Sequence, residues 1–198
     1  GGDELDGLTV VFTGALTVQV RWATPGTAAY GSTVAAVVLL AVLRGDGDPL
    51  FEALARPTDR PRRGLFVVVP LVSTALGGVA ANLLVGDFAV VGYLVAGWGD
   101  AVAEPVGVRW GRHRYRVPSL AGVEAERSVE GSGAVLVVGT LAAWVALALL
   151  GHGGAPAAWT AAACGAAATG VEAVSHHGLD NFTLQVAASV TAAVLLGG

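Results

Sequence analysis

The stretch GWGDAVAEPVGVRWGRHRYRVPSLAGVEAERSVEGS, residues 97–132, decides how the chain is built. It begins inside an apolar segment that carries Asp100 and Glu104, runs through an arginine-rich loop and ends in polar residues before the next apolar segment. On a helix, a spacing of four residues puts Asp100 and Glu104 on one face. The stretch therefore joins two carboxylates at the end of an apolar helix to a cationic loop.

The composition of the whole chain is that of a membrane protein. Apolar residues make up 54% of it and charged residues 13%, and its mean hydropathy is +0.67, whereas about a quarter of the residues of a soluble domain are charged. We predict an all-α fold, a polytopic integral membrane helical bundle of about seven transmembrane helices in a single membrane domain, residues 1–198. The predicted spans are 8–20, 28–43, 64–84, 88–108, 132–150, 155–175 and 181–196. Because the chain starts Gly-Gly-Asp-Glu and contains no methionine, we expect its native N-terminus to be missing.

The arginines predict the orientation of this bundle. Ten of the eleven lie in the loops 44–63 and 109–131, which two predicted spans separate and which therefore face the same side. By the positive-inside rule that side is the cytoplasm. The polar turn 175–181 follows two spans later, so it faces the same compartment. We thus expect an integral protein of the cell membrane whose active site faces the cytoplasm.

Asp100 and Glu104 are the sharpest chemical signal. A carboxylate within a membrane span costs several kcal/mol unless it is paired, hydrated or bound to a cation. Two carboxylates beside an arginine loop indicate a hydrated cavity that holds a hard cation such as Mg²⁺ through oxygen ligands. A structural ion pair with nearby arginines and an ion-translocation site are the alternatives.

The arginine loop ends in Arg127-Ser128 and Glu130-Gly131-Ser132, immediately before a predicted span. Backbone N–H groups at a helix N-terminus, with a glycine for close approach and an arginine nearby, suit a phosphate group. The alternative is that the arginines only set topology or attract anionic lipid headgroups. The sequence contains no Walker A loop.

Two further polar clusters lie near the C-terminus. Asp180 and Asn181 open the last apolar segment, where they suit a helix N-cap or a second contact with metal or nucleotide. Glu172 precedes His176 by four residues, so the two could meet on one helix face.

These strings together resemble a known family. Gly99-Asp100, Ala103-Glu104 and Trp110-Gly111-Arg112-His113, then the string 127–132 and the closing Gly178-Leu-Asp180-Asn181, are similar to the membrane CTP-dependent lipid kinases: the phytol, farnesol and dolichol (polyprenol) kinases. That family shares a superfamily with phosphatidate cytidylyltransferase. The resemblance covers roughly residues 97–185. The family often has Asp at position 104 and Lys at position 127, and its N-terminal Arg-Lys and His motif is not found in this chain.

The resemblance implies transfer of the γ-phosphate of CTP to an isoprenoid alcohol, with Mg²⁺ as cofactor. The expected partners are the lipid alcohol, CTP and membrane lipids, and no nucleic acid is expected. It implies catalytic roles for Asp100, Glu104 and Arg127, nucleotide contacts from Arg112, Glu130, Gly131, Ser132 and Asn181, and metal ligation by Asp100 and Asp180.

Three other functions remain open at this point. A phosphatidate cytidylyltransferase would make CDP-diacylglycerol and release pyrophosphate, but the closing Asp180-Asn181 lacks the His-Gly-Gly and Asp-Arg pattern of that group. A CTP-dependent diacylglycerol kinase would differ only in the acceptor. Outside the enzymes, a small ion-coupled transporter would use Asp100 and Glu104 as its ion site, although the halves of the chain show no convincing repeat.

Overall fold

The computed structural model describes residues 25–120 and 123–197. They form seven α-helices and one small β-sheet. The helices are α1 (Pro25–Arg44), α2 (Pro49–Leu54), α3 (Arg63–Val85), α4 (Ala89–Trp110), α5 (Val129–Leu149), α6 (Gly154–Val174) and α7 (Asp180–Leu196). Single 3₁₀ turns, Pro57–Asp59 and Gly86–Phe88, precede α3 and α4.

Six of the seven predicted spans coincide with long helices. The apolar runs and the breaks between them locate the helix ends within a few residues. The predicted span 8–20 lies outside the described residues, so the count of seven spans stays a prediction. Two helical stretches of the described chain, Arg63–Trp110 and Val129–Leu149, are long and apolar enough to cross a membrane.

The arginine-rich loop is folded, which the all-α prediction missed. Strands β1 (Arg114–Val117) and β2 (Ala125–Ser128) pair antiparallel, with Arg114 opposite Ser128 and Val117 opposite Ala125. The backbone N–H of Val129 also donates to the carbonyl of His113 at 2.9 Å. This hairpin therefore fixes the start of α5 beside the end of α4.

Helix α7 lies at the centre of the bundle, in contact with α3, α4 and α6. Small residues let these helices approach closely. At Gly92 of α4, the backbone N–H donates to Ser189 Oγ on α7 at 3.1 Å, and a Cβ atom there would overlap the carbonyl oxygen of Gln185. The main core is correspondingly rich in alanine and valine, and it includes Val95, Val135, Ala161 and Ala188.

The outer surface of the bundle is apolar. Large hydrophobic side chains such as Leu83, Leu141 and Trp144 are exposed, and a soluble monomer rarely shows such residues as a continuous surface. A second, smaller core joins α1, α2 and α3 through Ala41, Phe51, Ala55 and Val67.

Candidate functional site: an acidic cavity at one end of the bundle

The three polar segments of the sequence converge at one end of the bundle, as predicted. They enclose a cavity of about 530 Å³ between the loop before α3, the end of α4, the hairpin and the turn before α7. Of the predicted site residues, those that line it are Asp100, Glu104, Arg127, Gly131, Ser132 and Asp180.

Arg127, the next-to-last residue of β2, is held between two carboxylates in this cavity. Its Nε donates to Glu172 Oε1 at 3.0 Å, and its Nη2 donates to Asp180 Oδ2 at 2.6 Å. Its Nη1 is buried and has no hydrogen-bond partner among the residues that the structure describes. A buried guanidinium nitrogen without a partner is costly, so Arg127 retains donor capacity for an anion.

Glu172 extends this network to the start of α5. Its Oε2 accepts a hydrogen bond from Ser132 Oγ at 3.0 Å, and Ser132 Oγ lies 2.7 Å from the hydroxyl of Tyr115 on β1. The predicted meeting of Glu172 with His176 is wrong, because α6 ends at Val174 and Ser175 is its C-cap in an extended conformation. The chain breaks the helical spacing before residue 176, and Glu172 instead orients Arg127 and Ser132.

Asp100 lies on α4 and is partly buried. Within the described residues its carboxylate makes no hydrogen bond and no ion pair, although it interacts electrostatically with Asp180, Arg56 and Glu104. A partly buried carboxylate without a direct partner is the arrangement that a bound cation would stabilise.

Glu104 lies one turn further along α4 and is paired. Arg56 Nη2 donates to Glu104 Oε2 at 2.6 Å, and both side chains are about two-fifths exposed. Burial lowers the pKa of Arg56, but the nearby charges of Glu104 and Asp100 outweigh it, so the net shift is upward. The structural ion pair considered for the two carboxylates therefore holds for Glu104 and does not hold for Asp100.

The start of α5 was predicted to face a phosphate, and one of its backbone N–H groups is already bonded within the chain. Ser128 is the N-cap, and its Oγ accepts from the N–H of Gly131 at 3.0 Å. A Cβ atom at position 131 would lie 3.1 Å from the carbonyl oxygen of Ala103. Glycine at this position therefore lets α5 begin directly against α4.

Three predicted nucleotide contacts lie away from the cavity lining. Glu130 bonds His113, with 2.8 Å between Oε1 and Nδ1. Arg112 is exposed at the end of α4. The carbonyl of Asn181 accepts from Gln185 Nε2 at 2.9 Å. The N-cap of α7 is Leu179, so Asp180 is the first residue of that helix. Arg112, Glu130 and Asn181 are thus not among the residues that line the cavity, although Asn181 directly follows Asp180.

Sequence reasoning missed several residues that line the cavity. Arg56 and Arg114 were considered only as part of the arginine-rich loops, and Asp59 was not singled out. The partners of Glu172 and His177 were not anticipated. Asp59 Oδ1 lies 3.1 Å from His177 Nε2, although 118 residues separate the two in the chain. No local spacing encodes such a pair; the only signal was that both lie in segments predicted to face the same compartment.

The cavity is acidic. Seven carboxylates and three arginines line it, which gives a formal charge of −4 before His177 is counted. A polyanion entering this space would be repelled unless cations accompany it. No three or more of the His, Cys, Asp and Glu side chains in the described residues are grouped so as to hold a metal ion unaided. Mg²⁺ does not require such a group, because it commonly binds one or two carboxylates together with substrate phosphates and water.

Comparison with known proteins supports the resemblance of the motifs. The chain is 32% identical over 127 residues to a protein of Synechocystis sp. named phytol kinase; the match covers 60% of this chain and 52% of that protein. The chain thus spans about half the length of the curated relative that it matches. No protein-family model matches the chain, and no solved structure matches it. The shared sequence supports a family relationship between this chain and the phytol and polyprenol kinases.

Proposed function

We propose that the protein is a membrane lipid kinase that transfers the γ-phosphate of CTP to an isoprenoid alcohol of the phytol, farnesol or dolichol type. The observation that carries the proposal is Arg127, which lies in an acidic cavity between Glu172 and Asp180. One of its buried nitrogens has no hydrogen-bond partner in the described part of the chain. The relationship to a phytol kinase supplies the class of acceptor. CTP as the donor comes from the motif resemblance.

The acidic cavity supports a divalent cation as part of the proposed site. Asp100 offers oxygen ligands without a competing ion pair in the described residues, and Asp180 lies close enough to interact with it electrostatically. These two residues would hold Mg²⁺, which when bound would neutralise charge on the triphosphate. Arg127 would contact the phosphates, and Gly131 and Ser132 would shape the adjoining turn.

The apolar exterior supports a membrane setting for this reaction. The lipid tail would lie among the helices while its hydroxyl reaches the cavity at the arginine-bearing end. We propose that this end faces the cytoplasm, because the positive-inside rule puts arginine-rich loops there.

The first test follows label from γ-labelled CTP into lipid. The full chain in detergent, with Mg²⁺, is offered phytol, farnesol, a polyprenol and diacylglycerol in parallel. Label in an isoprenoid monophosphate is the expected result. Label only in diacylglycerol would contradict the proposed acceptor, and pyrophosphate release with phosphatidate would indicate a cytidylyltransferase instead.

Replacing Asp100 tests the proposed cation site. Asp100→Asn should lower turnover about 10³-fold or more, since several kcal/mol of charge stabilisation would be lost, while the protein stays folded in detergent. Asp87→Asn is the matched control, because Asp87 is exposed in the turn before α4, at the opposite end of that helix. Activity like that of the parent in Asp100→Asn would remove Asp100 from the mechanism.

A further inference from the structure

The Asp59–His177 pair lies in the cavity and has no role in the function proposed above. The two side chains are 6% and 14% exposed, with 3.1 Å between Asp59 Oδ1 and His177 Nε2. The imidazole stacks on Phe66 at 4.8 Å between ring centroids, and the N–H of His177 donates to the carbonyl of Pro118 at 2.8 Å. Both the ring and the backbone of His177 are therefore held in place.

The geometry leaves one ring nitrogen available. An ionised carboxylate only accepts hydrogen bonds, so the Asp59 contact puts the ring proton of a neutral His177 on Nε2. Nδ1 is then the basic nitrogen, and within the described residues it makes no hydrogen bond. A carboxylate that fixes the tautomer of a histidine in this way is the arrangement of general-base catalysis.

Glu104, to which the family resemblance assigns a catalytic role, is already held in an ion pair. Its carboxylate accepts a hydrogen bond of 2.6 Å from Arg56. This ion pair occupies one carboxylate oxygen of Glu104, whereas Nδ1 of His177 has no hydrogen-bond partner among the described residues.

We propose that His177 is the general base of the reaction and that Asp59 is its positioning residue, an inference that rests on the proposed function. The hydroxyl oxygen of the lipid alcohol forms a bond to the γ-phosphorus of the nucleoside triphosphate, and its proton passes to Nδ1 of His177. The bond from the γ-phosphorus to the bridging oxygen breaks, and the nucleoside diphosphate leaves with that electron pair. Asp59 stabilises the imidazolium until the proton returns to solvent.

The groups around the ring of His177 bear on the pH dependence of this step. Asp59 faces the ring from the 3₁₀ turn, and α3 contributes the uncharged Phe66. The other charged groups that line the same cavity include Arg56, Asp100, Glu104, Arg127 and Asp180. The γ-phosphate of the free nucleotide also titrates near pH 6, so the test compares parent and variant at the same nucleotide and Mg²⁺ concentrations.

His177→Gln is the first variant, and His176→Gln is its control, because His176 is the adjacent histidine and is exposed. For alcohol phosphorylation, His177→Gln should lower kcat about 10²- to 10⁴-fold, with nucleotide affinity within about threefold. The fall in rate toward low pH that comes from the histidine should disappear, while the part due to the nucleotide remains. His176→Gln should keep the kcat and pH profile of the parent. An unchanged pH profile and kcat in His177→Gln would overturn the proposal.

Two further variants separate a base from a structural contact. His177→Ala should regain activity when imidazole is added, because the free base can occupy the vacated space; no rescue in a folded variant, as judged by its thermal melting, would count against the proposal. Asp59→Asn should lower kcat by at least tenfold with unchanged nucleotide affinity, since the amide no longer fixes the tautomer. If the histidine variants do not fold, Asp59→Asn decides, and a kcat equal to that of the parent would overturn the proposal.

The two proposals fail in different ways. A parent chain that phosphorylates no alcohol contradicts the proposed function and with it this inference. A parent chain that is active, together with His177 variants of full activity, contradicts only the role of His177.

Discussion

Two arginines in this molecule have nearly the same surroundings and differ in one respect. Arg63, at the start of α3, and Arg127, on β2, are both buried, at 4% and 11% side-chain exposure, and each is bound by two carboxylates. Arg63 bonds Asp46 and Glu52 and also the carbonyls of Ala55 and Arg56, so each of its three nitrogens donates at least once. Within residues 25–120 and 123–197, Nη1 of Arg127 has no hydrogen-bond partner.

The difference separates a structural arginine from one that retains the capacity to bind a ligand. A guanidinium carries five N–H donors in a fixed fork, and Arg63 uses all of them to join α2 to α3 and the loop before α2. No N–H donor of Arg63 remains for a ligand. At Arg127 two carboxylates fix the orientation of the fork while part of its capacity stays open, and the residue lines a cavity.

Exchange of each arginine for glutamine gives the largest expected contrast. Arg127→Gln should lower kcat/KM about 10²- to 10³-fold, because a positioned charge opposite the developing negative charge is lost. Arg63→Gln should leave kcat/KM within about threefold and lower the melting temperature more than Arg127→Gln does. Label transfer from CTP and thermal unfolding in detergent measure the two effects. An activity loss at Arg63 equal to that at Arg127 would break the comparison.

Lysine at the same two positions tests the contrast between Arg63 and Arg127 more closely. Arg127→Lys should keep activity within about tenfold, since a single charge near a phosphate suffices for a point contact. Arg63→Lys should lower the melting temperature, because an ammonium group has three donors and cannot replace five in a planar fork. The opposite ranking would mean that Arg127 is the structural residue.

The carboxylate partners should show the same division with smaller effects. Glu172→Gln should lower kcat/KM about 10- to 100-fold, because the hydrogen bonds that position Arg127 and Ser132 weaken by about 1–3 kcal/mol. Glu52→Gln should leave kcat/KM unchanged and lower the melting temperature. Kinetics of the two purified variants check this, and equal kinetics would show that the orientation of Arg127 has no effect on the reaction.

The smallest expected effect is the pH dependence of the Arg63 cluster. The hydrogen bond from Arg63 lowers the pKa of Glu52 from 4.5 to about 2. A carboxyl group whose pKa is lower in the folded state stabilises the fold above its unfolded pKa and loses this contribution as the pH falls. The difference in melting temperature between the parent and Glu52→Gln should therefore be constant from pH 7 to about 5 and shrink below pH 4.5. A difference that grows at low pH would contradict the assignment.

The helices of this fold were predictable because their signal is local. The apolar run 64–84 lies within α3 (Arg63–Val85). The run 132–150 begins three residues after the start of α5 (Val129–Leu149) and ends one residue past its end. The hairpin was not predictable in the same way. Its strands have four residues each, and β1 is Arg-Tyr-Arg-Val. Because charged residues interrupt the apolar pattern of a strand, the sequence did not indicate the pairing that positions Arg127.

The site was predictable as far as its motifs extend. Asp100, Arg127 and Asp180 were selected from local strings, and the structure puts all three in one cavity. The pairs Arg56–Glu104 and Asp59–His177 join residues 48 and 118 positions apart. Such pairs depend on which helices are neighbours, which a single sequence does not state.

The contact between Gly92 and Ser189 has a mechanical consequence. At this contact a Cβ atom on residue 92 would overlap the backbone of α7, so the two helices lie close together. Asp100 lies eight residues from it on one helix, and Asp180 lies nine residues from it on the other. At a rise of 1.5 Å per residue, each carboxylate is carried on an arm of about 12–14 Å. A change of about 5° in the angle between the two helices about this contact would therefore move the two carboxylates relative to each other by about 1 Å. The close approach that Gly92 allows therefore influences the spacing of the carboxylates of Asp100 and Asp180.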